Sequence, residues 1–302
     1  MKLGFLSAIL PEYSFEQIID YASELELSRV ELACWPKGKA ERRYAGVTHI
    51  DADNYDKSAI VDKLSSTGVE ISGLGYYPNP LTTDLEQRKI FIDHLKKIIK
   101  ASADLDVNIV NTFIGKDRLS SVDDNFVEFE KVWPDIIKFA EDLGVTVCIE
   151  NCQMYFTKDE APGGNNLAST PVIWERMFNI IDSKNFALNY DPSHLVWMQM
   201  DYVAPIYDFK DKIKHFHVKD VKFYRDKYNK VGPFAHPLEY HQPKLPGLGD
   251  IDWGQVISAL NDIRYKDSLV IEVEDKAFED SLQARLNSVL LAKNFMRQYV
   301  VE

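Results

Sequence analysis

Four short apolar stretches of the sequence each carry acidic or histidine residues close to their C-terminal ends. These residues are Glu150, Asp191, His215 with His217, and Glu272 with Glu274. Carboxylate and imidazole groups suit Mn²⁺, Mg²⁺, Co²⁺ or Zn²⁺, and no thiolate, the usual ligand of structural zinc, accompanies them. The residue types therefore indicate one divalent metal ion in a catalytic rather than a structural role.

Each of these residues alone would more often be a salt-bridged carboxylate or a hydrogen-bonded histidine of the interior. Together they carry an energetic problem, because converging carboxylates repel one another without a cation. Their uncompensated burial would cost on the order of several kcal/mol each. A bound divalent ion removes this cost, so a metal site is the better interpretation of the cluster.

The alternation of side chains along a strand tells which residues share a face. In the predicted strand Val145–Asn151, Cys148 and Glu150 lie on one face, while Val147 and Ile149 form the apolar face that helices should cover. The same alternation applies to the other three stretches. All the candidate ligands therefore lie opposite the helix-covered faces.

A short β-rich run followed by a longer amphipathic segment recurs eight times along the 302 residues. The predicted strands are Lys2–Ser7, Arg29–Trp35, Glu70–Tyr76, Asn108–Ile114, Val145–Asn151, Phe186–Asp191, Ile213–Lys219 and Ser268–Glu274. The predicted helices include Phe15–Leu25, Asp84–Ala103, Asn125–Leu143, Pro171–Ile181, Trp253–Ile263 and one near Glu279–Tyr299. Eight strand–helix units predict a single (β/α)8 TIM barrel over residues 1–302.

An open, doubly wound sheet is the structural alternative. It would prefer fewer strands and a glycine-rich turn after the first one, whereas Ala8-Ile9-Leu10-Pro11 follows here. The residues Ser14, Thr170 with Pro171, and Asp250 suit helix starts. The barrel remains the better prediction.

The strand-to-helix connections are long at three places: Pro36–Asn54, Cys152–Thr170 and Asp220–Ile251. In α/β barrels these connections lie on the face that carries the active site. We therefore expect Asp220–Ile251 to cover this face, with its Leu245–Trp253 end ordered.

The composition excludes some classes of protein. The formal net charge of −12 disfavours nucleic acid as a partner. Three cysteines without a framework spacing argue against a disulfide-stapled secreted protein, and the apolar N-terminal run is too short to span a membrane. A cytoplasmic protein that acts on a small carbohydrate is expected, and a homo-oligomer is compatible with the sequence.

Several segments together resemble the xylose-isomerase-like sugar phosphate isomerase/epimerase superfamily. They are Val30-Glu31-Leu32, Ile149-Glu150-Asn151, Asp191-Pro192-Ser193-His194, His215–Asp220, Leu245–Trp253 and Ile271–Asp275. Their order and spacing match over essentially the whole chain. The resemblance implies a TIM barrel with one divalent metal ion, and its ligands would be Glu150, Asp191, His217 and Glu272.

The resemblance also implies catalytic roles. In the ketose epimerases of this superfamily, the glutamates matching Glu150 and Glu272 move the substrate proton, and a histidine matching His194 binds substrate oxygen. Those epimerases carry an arginine downstream of the metal-binding histidine, where this chain has Lys219 and Asp220. Lys219 could polarise the substrate or form a Schiff base, although pairing with Asp220 or another carboxylate is the simpler interpretation.

This chemistry predicts a metal-dependent sugar isomerase or epimerase, with manganese one suitable metal. Chelation of a carbonyl and a neighbouring hydroxyl acidifies the intervening C–H by stabilising an enediolate. The alternative is a carbon–oxygen lyase, either an inosose-type dehydratase or a 3-keto-glycoside eliminase or hydrolase. Weaker alternatives are a phosphodiester-cleaving DNA-repair endonuclease and a non-catalytic subunit. No glycine-rich phosphate cradle supports a phosphorylated substrate.

Other residues near the strand ends could contribute to substrate binding. The aromatic candidates are Trp35, Tyr76, Tyr77, Phe113 and Trp197, the loop histidines are His49, His236 and His241, and a basic cluster comprises Lys37, Lys39, Arg42 and Arg43. For each of them, packing or solvation is at least as good an interpretation.

Overall fold

Eight parallel strands form a closed barrel in the computed structural model, which describes residues 1–37, 45–155 and 163–300. The barrel strands are β1 (Lys2–Leu6), β2 (Arg29–Ala33), β3 (Glu70–Gly75), β4 (Ile109–Thr112), β5 (Thr146–Glu150), β6 (Phe186–Tyr190), β7 (Ile213–Val218) and β10 (Ser268–Ile271). Strand β10 pairs with β1 and β7 and closes the sheet. The predicted barrel fold is confirmed, with strands slightly shorter than predicted.

Helices follow the strands, and the longer helices cover the outside of the barrel. They are α1 (Phe15–Glu24), α2 (Lys57–Thr67), α3 (Leu85–Asp104), α4 (Val122–Asp142), α5 (Pro171–Ile180), α6 (Ser193–Trp197), α7 (Ala204–Asp208), α8 (Arg225–Val231), α9 (Trp253–Asp262) and α10 (Leu282–Met296). Their buried faces and the outward-facing strand residues form one large apolar cluster. Among the described residues, no helix is long and apolar enough to cross a membrane.

Of the predicted helix starts, those at Ser14 and Pro171 are found and the one at Asp250 is not. Ser14 caps α1 in a capping box with Gln17, and Pro171 is the first residue of α5. The prediction for Asp250 is wrong, because Asp252 caps α9 by accepting a hydrogen bond from the Gln255 N–H. Asp250 instead pairs with Lys222. It therefore anchors the preceding loop rather than the helix.

The barrel interior is polar directly below the strand ends. The His215 side chain is fully buried there, with Nδ1 2.9 Å from Oδ1 of Asn189 and Nε2 3.1 Å from Oγ of Ser72. These hydrogen bonds occupy both ring nitrogens of His215. His215 is therefore a structural residue one layer beneath the strand ends.

The long segment after β7 contains an antiparallel hairpin, β8 (Asp220–Phe223) and β9 (His241–Lys244), with α8 between its strands. The His241 ring stacks on Trp197 of α6, with 4.9 Å between ring centroids and 9° between planes. This contact holds the hairpin over the C-terminal ends of the strands. The segment lies on the face that the sequence predicts.

Asp220 anchors the Leu245–Trp253 end of this segment. Its buried carboxylate accepts hydrogen bonds from the backbone N–H groups of Val221, Gly247 and Ile251, at 2.8, 2.9 and 3.2 Å, and from the Trp253 indole at 3.1 Å. An acceptor with four donors orders the backbone around it because each donor would otherwise be buried unpaired. The predicted order of this end follows from these bonds.

Replacing Asp220 by Asn should lower the free energy of unfolding by roughly 2 kcal/mol, since the amide presents a donor to a site built of donors. Urea unfolding followed by circular dichroism measures this. Asp226→Asn, on the exposed surface of α8, is the matched control. Equal stability of the two variants would contradict the anchoring role.

Candidate active site

Four side chains meet at the C-terminal ends of β5, β6, β7 and β10. They are Glu150, Asp191, His217 and Glu272, and one ligand atom from each lies within 4.8 Å of the other three. Glu150, Asp191 and His217 are buried, while the Glu272 side chain is 13% exposed. We call these residues the four-donor group. The structure thus brings together the side chains that the resemblance selects from the sequence.

The ligand atoms of this group test whether a metal ion fits it. Within the described parts of the chain, Oδ2 of Asp191, Nδ1 of His217 and Oε2 of Glu272 are buried and have no hydrogen bond of suitable geometry, although the two carboxylate oxygens form ion pairs with Lys219. Two of these atoms, His217 Nδ1 and Glu272 Oε2, are only 3.1 Å apart. Three carboxylates and one imidazole whose ligand atoms converge fit a divalent cation.

Glu31 orients the imidazole of this group, a role that the sequence analysis missed. Its buried Oε2 accepts a hydrogen bond from Nε2 of His217 at 2.8 Å, and Tyr77 donates its hydroxyl to Oε1. Because a carboxylate can only accept, Nε2 carries the proton and Nδ1 is left as the free ligand atom. The sequence signal for this role was the position of Glu31, a charged residue between the apolar Val30 and Leu32 in a predicted barrel strand.

Replacing Glu31 by Gln should weaken divalent-metal binding about tenfold or more, because the imidazole loses the carboxylate that fixes its tautomer and raises its basicity. Isothermal titration with Mn²⁺ or Zn²⁺ measures the dissociation constant. Tyr77→Phe removes a hydrogen bond to the same carboxylate but keeps its charge, so a smaller change is expected. Unaltered affinity in Glu31→Gln would contradict the orienting role.

The two glutamates of the group have pKa shifts of opposite direction. Burial raises the pKa of Glu150, but interactions with His194 and His217 outweigh burial and lower this pKa to about 2. Burial also raises the pKa of Glu272; the positive charge of Lys219 opposes this and the negative charge of Glu150 adds to it, so the net shift is upward. Two carboxyls whose environments separate their pKa values are suited to opposite proton-transfer roles.

Lys219 lies among the carboxylates of the site. Its Nζ is 3.0 Å from Oδ2 of Asp191, 2.9 Å from Oε2 of Glu272 and 3.2 Å from Oε2 of Glu274. Burial lowers the pKa of Lys219, but these three negative charges outweigh burial and raise the pKa well above its usual range. An ammonium held in this way is unsuited to form a Schiff base. Pairing with neighbouring carboxylates is found, but not with Asp220.

His194 reaches the same group from the first turn of α6. Its Nε2 is 3.1 Å from Oδ2 of Asp191, 3.3 Å from Oε1 of Glu150 and 3.3 Å from Nζ of Lys219. Since Pro192 and Ser193 separate it from Asp191, the turn after β6 brings both side chains to one place. His194 can therefore contact a ligand bound beside the four-donor group.

The aromatic side chains predicted near the strand ends do not all line the same cavity. A cavity of about 110 Å³ over the four-donor group is lined in part by Trp35, Tyr77 and Phe113. Tyr76 is instead buried against Trp35 and His94. A second cavity, described below, includes Trp197 and His241 in its walls. Four of the five aromatic side chains therefore line a cavity, and their contact with a sugar ring stays a prediction.

The remaining loop residues lie apart from the four-donor group. His49 is buried, with Nδ1 2.8 Å from Oγ of Ser7, and His236 caps a short 3-10 helix. Lys37 pairs with Asp51 at 2.9 Å. The other members of the basic cluster, Lys39, Arg42 and Arg43, lie outside the described residues.

The closed barrel and the four-donor group define the class of protein, an α/β barrel with a site suited to a divalent metal at its strand ends. Residues 19–293 match the family model described as the xylose isomerase-like TIM barrel. The chain belongs to this family.

The chain is also similar to individual known proteins, one by sequence and two by fold. The inosose dehydratase of Clostridium tetani is 26% identical over 147 residues, and the chain spans only about half (48%) of that enzyme's length, with 48% of this chain covered. A D-psicose 3-epimerase of Clostridium cellulolyticum H10 with D-tagatose superimposes with a TM-score of 0.70 at 17% identity, over 99% of both chains. The IolI protein with a bound zinc atom gives a TM-score of 0.72 at 15% identity, over 100% of both chains. The two structures are similar in fold.

Proposed function

We propose that this chain is a divalent-metal-dependent enzyme that moves a proton beside the carbonyl of a small sugar or keto-sugar, as an isomerase or epimerase. The observation that carries the proposal is the pair Glu150 and Glu272, which lie at the ends of the non-adjacent strands β5 and β10 and bring two carboxylates into the four-donor group from different sides. A divalent cation held by Glu150, Asp191, His217 and Glu272 would supply positive charge that stabilises the oxyanion of an enolised substrate.

The protein's own groups account for the proton transfers. The ionised Glu150 carboxylate is the group that takes the proton from the carbon beside the carbonyl. Glu272, with its raised pKa, returns a proton from another side. Return to the same carbon on the opposite face is epimerisation, and return to the neighbouring carbon is isomerisation.

His194 and Lys219 position the substrate oxygens in this proposal. Both lie within hydrogen-bond distance of Asp191, beside the cavity, and both can donate to a hydroxyl or a carbonyl oxygen. The aromatic walls of the cavity exclude water from the reacting carbon. The arrangement thus holds a polar edge of a sugar against the carboxylates.

The proposal is tested by metal analysis of the purified protein and by solvent-deuterium exchange. D-fructose, D-psicose, D-tagatose and an inosose are incubated with metal-loaded protein in D₂O, and C–H exchange is followed by NMR. The proposed function predicts exchange at a carbon next to the carbonyl in at least one of them. Metal-loaded protein that exchanges none of these or the keto-glycosides below would overturn it.

A carbon–oxygen lyase is the second candidate, and Lys219 is the observation that favours it. Its ammonium lies 2.9 Å from Glu272 and can donate a proton to a departing hydroxyl. The curated relative from Clostridium tetani is an inosose dehydratase, which points the same way. Release of water from an inosose, with an unsaturated product, distinguishes the lyase from an epimerase.

A further inference from the structure

A second cavity of about 540 Å³ lies beneath the β8–β9 hairpin. It shares Cys152, Lys219 and Glu274 with the cavity of about 110 Å³ over the four-donor group. The two cavities are therefore lobes of one cleft that meet at Lys219. We call the smaller one the inner lobe and the larger one the outer lobe.

The volumes of the lobes bear on the size of the ligand. Cavities that bind ligands of the size of a typical drug usually measure about 300–1,000 Å³. The inner lobe is well below this range and suits a single sugar ring, whereas the outer lobe falls within it. A free monosaccharide bound at the carboxylates would leave the outer lobe to water.

The lining of the outer lobe suits a ring that carries hydroxyl groups. Trp197 and Tyr224 contribute flat apolar surfaces, and Trp197 is held in place by its stacking on His241. Gln242 adds amide groups beside them, and its Oε1 accepts a hydrogen bond from the Tyr224 hydroxyl at 3.1 Å. Aromatic faces combined with amide donors and acceptors can bind both the faces and the hydroxyls of such a ring.

The charges around the outer lobe favour an uncharged ligand. Lys227 and Lys276 line it, and so do Glu274 and Glu279. With Lys219 and Asp220, which also line the lobe, three lysines face three carboxylates, and this balance gives no net attraction for an anion such as a phosphate ester. The outer lobe is therefore suited to a neutral, hydroxylated group.

We propose that the substrate is a keto-glycoside: a reacting sugar in the inner lobe that carries a second, neutral ring in the outer lobe. This inference rests on the proposed function, which assigns the reacting carbon to the inner lobe. The oxygen that links the two rings then lies near Lys219, where the lobes meet. The second ring is either another sugar or an aryl group, since both present flat faces to Trp197.

The test compares ligands with one and two rings on metal-loaded protein. The probes are methyl 3-keto-β-D-glucoside, phenyl 3-keto-β-D-glucoside and 3-ketocellobiose, and calorimetry gives their dissociation constants. At least one two-ring probe is expected to bind tenfold or more tightly than the methyl glucoside. Comparison of the phenyl and cellobiose probes tells which second ring is preferred.

A cavity-filling variant locates the effect. Leu238 lines the outer lobe from the short 3-10 helix before β9 and is 47% exposed, so Leu238→Trp narrows the lobe without disturbing the core. The two-ring advantage, expressed as the ratio of dissociation constants, should fall to within about twofold of one. Glu239→Trp, at the exposed neighbouring position, is the matched control and should keep the wild-type ratio.

Two outcomes overturn the inference: a ratio near one in the wild type, or an advantage that survives in Leu238→Trp. Deuterium exchange in the same samples separates this failure from failure of the proposed function. Exchange without a two-ring advantage contradicts the keto-glycoside proposal but agrees with the proposed proton transfer. A two-ring advantage without exchange of any probe or ketose contradicts the proposed proton transfer and leaves the outer lobe as a binding site.

Discussion

Metal-loaded Glu150→Gln protein should lose about 1,000-fold or more of the C–H exchange that wild-type protein catalyses in D₂O. The amide cannot accept the proton, and general-base catalysis by a positioned carboxylate contributes about 10²–10⁴-fold. A carboxylate that binds a divalent cation is ionised at neutral pH, so the loss should persist across the neutral range. NMR of substrate recovered from D₂O measures the exchange.

Metal content decides how this result is interpreted, because Glu150 also belongs to the four-donor group. Exchange is therefore compared only after the variant has been shown to bind one ion per chain. Glu272→Gln should show a loss of similar size, while Glu274→Gln, whose side chain is 38% exposed, should retain most of the exchange. Wild-type exchange rates in both metal-loaded Glu150→Gln and Glu272→Gln would refute the two-carboxylate mechanism.

The barrel could be predicted because each strand–helix unit has a recognisable local sequence pattern, and this pattern recurs along the chain. Each strand carries an apolar face, and each long helix carries a matching one, so the eightfold alternation predicts the closed sheet. The strand ends differ from the predicted ones by up to three residues. Asp191, predicted to end β6, and Glu272, predicted inside the last strand, each follow their strand directly.

The alternation of side chains along each strand was not enough to choose the site residues. His215 and His217 share a face, as Glu272 and Glu274 do, so spacing alone left both pairs open, and the resemblance favoured His217 and Glu272. The structure shows the physical difference for the histidines. Both ring nitrogens of His215 are hydrogen-bonded, whereas among the described residues Nδ1 of His217 makes no hydrogen bond of suitable geometry and faces the carboxylates of the four-donor group.

Three features depend on contacts between distant parts of the chain, which local patterns do not reveal. Glu31 lies 186 residues from the histidine that it orients. Helix α2 has Ile60 as its one fully buried residue, so it lacks an amphipathic pattern. The β8–β9 hairpin is joined by a connection that includes α8, and no tight turn marks it in the sequence. Tertiary packing, rather than local propensity, defines each of them.

Lys219→Met should change metal binding and turnover in opposite directions. The ammonium lies about 3 Å from both Asp191 and Glu272, which are also candidate metal ligands. It therefore competes with a divalent cation for the same negative charge, and its removal should tighten metal binding by roughly tenfold or more. Turnover should fall about 10²–10⁴-fold, because the ammonium that we propose as a donor to the substrate oxygen is lost.

Tighter metal binding together with slower turnover makes Lys219→Met informative, since a general loss of structure would weaken metal binding and turnover together. Without metal, Lys219→Met should also unfold at a lower temperature than wild type, because the carboxylates lose their internal counter-charge. Metal should restore more of this stability than it adds to wild type. Lys222→Met removes a surface lysine paired with Asp250 and should leave affinity and turnover near wild type. Unchanged metal affinity in Lys219→Met would mean that the lysine does not compete for the ligands. Near-normal turnover would remove it from the reaction.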